Sequence, residues 1–101
     1  MRVRKLALKN AFNGRAGIIV ANLVDDVVIR SNYLHDNDVG IRISYGAGRT
    51  VTERNRLRNC RIGIQIQKVK DKAVIGKNEF HDCTKDLEIS DKVKDMVVFI
   101  R

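Results

Sequence analysis

The sequence predicts an all-β solenoid of about four stacked coils, each 23 residues long, and three observations predict it. The first is a recurring Gly-Ile-x-Ile motif. It reads Gly17-Ile18-Ile19-Val20, Gly40-Ile41-Arg42-Ile43, Gly63-Ile64-Gln65-Ile66 and, in altered form, Asp86-Leu87-Glu88-Ile89. The second is an asparagine on the same beat, at Asn32, Asn55 and Asn78. The third is strand-like alternation inside each unit, with Ile41 and Ile43 around Arg42 and Ile64 and Ile66 around Gln65. A fixed period of about 20 to 50 residues marks a stacked array. A unit this short cannot bury its own apolar face, so parallel, in-register stacking must supply the core.

Strands are expected, in chain order, at Val3–Leu8, Ile18–Val20, Val27–Ser31, Ile41–Ser44, Val51–Glu53, Ile64–Gln67, Ala73–Ile75, Leu87–Ile89 and Met96–Ile100. The first rests on Leu6-Ala7-Leu8. Its coil runs one residue short, since Asn10 and Phe12 precede Asn32 and Leu34 by 22. Val28, Val51 and Val74 each stand four residues before an asparagine, and Val97 continues that spacing into a further coil. Two residues after each asparagine comes a large apolar side chain, Leu34, Leu57 or Phe80. Seven-residue connections follow at Ala21–Val27, Ser44–Thr50, Gln67–Ala73 and Ser90–Met96. Helix is a poor reading because no window of about 11 to 18 residues sustains apolar residues at i, i+3, i+4 and i+7. Three core ladders follow: Ile18, Ile41, Ile64 and Leu87; Val20, Ile43, Ile66 and Ile89; Phe12, Leu34, Leu57 and Phe80.

The asparagines have a physical task. A sharp turn between strands turns backbone polar groups inward, and a stacked amide can donate to and accept from its neighbours. A second structural slot, five residues on, holds Asn37, Cys60 and Cys83. The two cysteines should sit one strand spacing apart, a distance that also allows a disulfide, and the reading favoured is a ladder of two small buried thiols. The motif glycine suits a turn that needs positive φ or a close backbone approach. Asp86 stands in that slot in the last coil, which is therefore expected to be less regular.

These residues resemble the right-handed parallel β-helix repeat of the pectate-lyase-like superfamily. Its pattern is V-x-I-x-x-N-x-I/F, a second asparagine, then G-I-x-I, and Val28–Ile43, Val51–Ile66 and Val74–Ile89 carry it here. The resemblance implies a single-stranded right-handed solenoid over nearly the whole chain. Its relatives include polysaccharide lyases and hydrolases, carbohydrate-binding domains and accessory proteins of copper enzymes. Lyases of the family imply Ca²⁺-binding aspartates and a basic residue that abstracts the proton α to a carboxylate. Hydrolases imply a carboxylate pair about 5 to 9.5 Å apart. Asp36 and Asp82 share a slot with Asn59 between them, and turn chemistry explains them equally well. Asp25-Asp26 lies in a connection with no matching pair above it. The proline-containing arginine motif of the lyases has no counterpart in a chain without proline.

The expectation is therefore one domain over residues 1–101, as part of a longer solenoid or an oligomerising stub, with no catalytic residue, metal or cofactor of its own. If it is part of an enzyme, that enzyme is a polysaccharide lyase or glycoside hydrolase whose site lies largely outside these residues. A net charge of +8 permits polyanionic partners. Among them an acidic polysaccharide is preferred. Nucleic acid is disfavoured, because the five aromatics are not interleaved with the basic run. Apolar ends at Leu6-Ala7-Leu8 and Met96–Ile100 suggest stacking on a second copy. No signal peptide or membrane span is read. The compartment is left open, a parent protein of this type being extracellular or periplasmic.

The candidate ligand-binding residues are Arg54, Arg56 and Arg58, which share one face of an extended segment, with Arg61, Lys77 and Arg42 nearby. Lys77 stacks on Arg54, while His35 and His81 flank Arg58. Guanidinium forks match carboxylates and sulfates. Arg58 between the two histidines is electrostatically wrong for a metal cation.

Overall fold

The computed structural model describes residues 16–20, 26–44 and 47–100. The expected strand Val3–Leu8, together with Asn10 and Phe12, lies outside them. In chain order the strands are β1 (Ala16–Val20), β2 (Val27–Arg30), β3 (Tyr33–His35), β4 (Val39–Ile43), β5 (Thr50–Glu53), β6 (Arg56–Arg58), β7 (Ile62–Ile66), β8 (Ala73–Ile75), β9 (Glu79–His81), β10 (Lys85–Ile89) and β11 (Val97–Phe99). They form three parallel sheets, ordered β1-β4-β7-β10, β2-β5-β8-β11 and β3-β6-β9. Each coil thus contributes one strand to each sheet, and the described residues complete about three turns. Sequence patterning marked two strands per coil and missed β3, β6 and β9. Each of these carries one apolar residue between two polar ones, too short a run to show alternation.

The register is the sequence period. Ile18 pairs with Ile41, Ile41 with Ile64 and Leu87 with Ile64; Val20, Ile43, Ile66 and Ile89 align likewise. Leu34, Leu57 and Phe80 align on the third sheet. Ile41, Ile43, Ile64, Ile66, Leu34 and Leu57 are fully buried. Leu87, Ile89 and Phe80, in the outermost coil, are only partly covered. A further core ladder, Ala47, Val69 and Val93, runs through the connections. Two of the valines that mark the repeat, Val28 and Val51, lie outside the core instead. In β2 and β5 the buried residues are Val27, Ile29, Thr50 and Thr52, while Val28 and Val51 are half-buried.

The last connection departs from the beat. A 3₁₀ helix at Asp91–Met96, capped by the Ser90 side chain, buries Val93 and makes this coil one residue longer. Val98, rather than Val97, therefore pairs with Val74. The altered motif at Asp86 does not disturb its coil, because β10 pairs with β7 from Lys85–Ile62 to Ile89–Ile66. The glycine slot explains this. Gly17, Gly40 and Gly63 have ordinary φ, and close approach is what requires them. A Cβ on Gly63 would stand 2.6 Å from the Asp86 carbonyl oxygen and 2.6 Å from the Phe80 ring. The space a Cβ needs is taken by the following coil, and among the described residues no strand lies on that side of Asp86.

Asparagine stacking closes the turns. Asn32 Nδ2 donates to Asn55 Oδ1 at 2.9 Å, and Asn55 Nδ2 donates to Asn78 Oδ1 at 3.0 Å. The same oxygens accept from the backbone N–H groups of Asn32 and Asn55. In the second slot Asn37 Nδ2 donates to the His35 carbonyl, and the Cys60 thiol donates to the Arg58 carbonyl. Both cysteines are unpaired thiols, Cys60 buried and Cys83 half-buried. Burial pushes the Cys60 thiol up.

Thr52 is a weak point in the core. It is fully buried between Ile29 and Ile75, yet its hydroxyl oxygen finds no partner among the described residues. A buried hydroxyl without a partner is unfavourable. Thr52→Val keeps the β-branched shape and is expected to raise stability by about 1 kcal/mol. A urea midpoint at or below that of the unaltered protein would contradict this.

Candidate functional site

The outer face of the β3-β6-β9 sheet collects the chemistry-bearing side chains. With Leu34, Leu57 and Phe80 turned inward, the flanking residues must point out. Register then builds two columns along the solenoid axis, Tyr33–Arg56–Glu79 and His35–Arg58–His81. Tyr33 is the platform of this face. The Arg56 guanidinium lies 5.8 Å from its ring centroid, within range of a cation–π contact, and the His35 ring is tilted against it at 4.9 Å. The Arg58 guanidinium is pushed up, first by a hydrogen bond with Tyr33 and further by Asp82 and Asp36. Arg56 also reaches Glu79 at 3.5 Å, but both side chains are more than half exposed, so this pair adds little stability.

Three shallow recesses of 420, 390 and 510 Å³ open on this face, and Tyr33 borders all of them. Arg54 and Arg56 line the first, Arg58 the second, and Arg56 and Arg58 together the third.

The corner residues are fixed by turn geometry. Asp36, Asn59 and Asp82 take φ values of 62°, 53° and 57°, the left-handed conformation that short polar side chains tolerate. Asp36 is further committed, its carboxylate contacting His35 Nδ1 at 2.7 Å and accepting from Asn59 Nδ2 at 2.6 Å. Those two contacts hold it below the usual carboxylate range. Turn geometry therefore accounts for Asp36 and Asp82 at these corners.

The structure separates the six basic candidates. Arg56 and Arg58 lie side by side on β6. Arg54 is not on that strand: at φ 55° it forms the corner before it, with Lys77 in the corresponding place one coil on. It nonetheless lines a recess with Arg56. Arg61 lies beyond the next corner, where its fork binds Asp38 at 2.6 and 3.1 Å. Arg42 lies on the β1-β4-β7-β10 sheet and donates to Gln65, which donates in turn to Glu88. Those bonds occupy both arginines away from the recesses. Sequence reasoning missed Tyr33, although its position 23 residues before Arg56 places it in the same slot.

No group of three or more His, Cys, Asp or Glu side chains suited to a metal occurs among the described residues. No helix there is long and apolar enough to cross a membrane. A family model described as right handed beta helix region matches residues 2–96. No curated protein and no solved structure matches the chain.

Proposed function

Because the chain belongs to the right-handed beta helix family, we propose that it is a non-catalytic coil stack whose β3-β6-β9 face binds an acidic carbohydrate. The observation that carries this reading is Tyr33, an aromatic surface against which Arg56 and Arg58 are held. An aromatic ring packs on the apolar face of a sugar, and guanidinium forks pair with its carboxylate or sulfate groups. Arg54 and Lys77 extend the positive surface along the neighbouring corner. The rigid sheet positions these groups without a loop that must first be ordered, which lowers the entropic cost of binding.

Calorimetric titration with polygalacturonate at low and high salt tests the proposal. Binding should weaken as salt rises, and Arg54→Ala/Arg56→Ala/Arg58→Ala should lose about tenfold or more in affinity. Salt-insensitive binding, or binding unchanged in the triple variant, would remove the reading. Turnover of the polymer by the intact chain would instead favour an enzyme.

A second reading, association end to end, is favoured by one observation. Val98, Phe99 and Ile100 are exposed by 38%, 57% and 56% at the β11 edge. Against it, β10 presents Lys85, Asp86 and Glu88 at its own edge, and charges there discourage strand pairing. A monomeric mass by light scattering at high concentration would exclude this reading.

A further inference from the structure

The sequence contains two histidines, and both stand in one column of the proposed binding face. His35 on β3, Arg58 on β6 and His81 on β9 are in register, stacked at roughly 4.8 Å per coil. We propose that acid strengthens this face's hold on polyanions, because protonation of His35 and His81 completes a continuous cationic column through Arg58. The inference rests on the reading above that the face binds an acidic polymer.

The surrounding charges decide the sign. From β3 and its corner, Tyr33 and Asp36 face the column; from β6, Arg56; from β9 and its corner, Glu79 and Asp82. Arg54 and Lys77 stand at the preceding corner. The Arg61–Asp38 pair past the next corner adds no net charge. With both imidazoles neutral, Arg54, Arg56, Arg58 and Lys77 oppose Asp36, Glu79 and Asp82, so the face carries a single net positive charge. Protonating both imidazoles triples it. Histidine ordinarily changes charge between about pH 5 and 8, where carboxylates stay ionised. The Asp36 carboxylate stands 2.7 Å from His35 Nδ1, where it can pair with a protonated ring. The face is thus nearly balanced at neutral pH, and the histidines are the groups able to tip it.

The test is titration of the intact chain with dextran sulfate, whose sulfate esters stay ionised, at about pH 7.5 and about pH 5.5 and one low salt concentration. Affinity should be about tenfold higher in acid, as expected for two added charges at an exposed site. His35→Gln/His81→Gln should hold it constant within about twofold across the same range. Both side chains lie outside the core, and a thermal melt checks that the variant folds. Equal affinity of the unaltered chain at both pH values overturns the acid effect while leaving the binding reading in place. An acid gain that survives in the glutamine variant assigns it to other groups and overturns the proposal as well. Absence of binding at both pH values removes the binding reading, and this inference with it.

Discussion

Asn55→Ala is expected to lower stability by about 4 kcal/mol, the largest effect of any single truncation of a polar side chain in this fold. Asn55 is 1% exposed. Its oxygen accepts from both the backbone N–H and the Nδ2 of Asn32, and its amide nitrogen donates to Asn78 Oδ1 and the Ile29 carbonyl. Alanine satisfies none of them. A buried polar group left without a partner costs about 1–3 kcal/mol, and several are orphaned together. A domain of this size has roughly 5–15 kcal/mol in total, so the variant should lose much of its folded population at modest urea concentrations. The second slot supplies the contrast. Cys60 occupies the place of Asn37 one coil on and donates to the nearby Arg58 carbonyl, so Asn37→Cys should change stability by less than about 1.5 kcal/mol. A urea midpoint for Asn55→Ala close to that of Asn37→Cys would show that the ladder is not the brace described here.

The next largest effect is expected of Gly40→Ala, a change of one methyl group. The new carbon would stand 2.7 Å from the Gly63 carbonyl oxygen and collide with the Leu57 side chain. Leu57 is fully buried, and the carbonyl belongs to β7, which is paired on both sides. Neither can yield without moving a coil. Overpacking of a tight core costs about 1–3 kcal/mol, and the upper part of that range is expected here. Asp86→Ala, in the same slot of the outermost coil, should be neutral within about 0.5 kcal/mol. Thermal unfolding of the two variants side by side checks this, and equal midpoints would refute the close-approach explanation.

The fold was legible because its signals are periodic. Isoleucine, asparagine and glycine return every 23 residues, and each return corresponds to a pairing in the structure. What escaped was local. Tyr33-Leu34-His35 has a single apolar residue, so nothing in its own pattern distinguishes a strand from a turn. In Val27-Val28-Ile29 all three residues are apolar, so composition does not say which is inward. The 3₁₀ helix at Asp91–Met96 uses residues that suit a loop equally well. The candidate site was half legible. Counting in coils puts Arg58 between His35 and His81 before any coordinates exist. The partners that occupy Arg61 and Arg42 depend on side-chain reach across corners and sheets, which a spacing rule does not contain. Tyr33 is hidden in the sequence because it stands one coil away from the basic run rather than within it.

The asparagine ladder also has mechanical meaning. Its amide-to-amide bonds run one way, from Asn32 to Asn55 to Asn78, and each coil is fastened only to its neighbours. Tension applied to the two ends of the chain would load these fastenings one after another rather than together. The molecule should pay out like a coiled rope, in steps of one coil. At roughly 3.5 Å of extended chain per residue, each step would release about 80 Å.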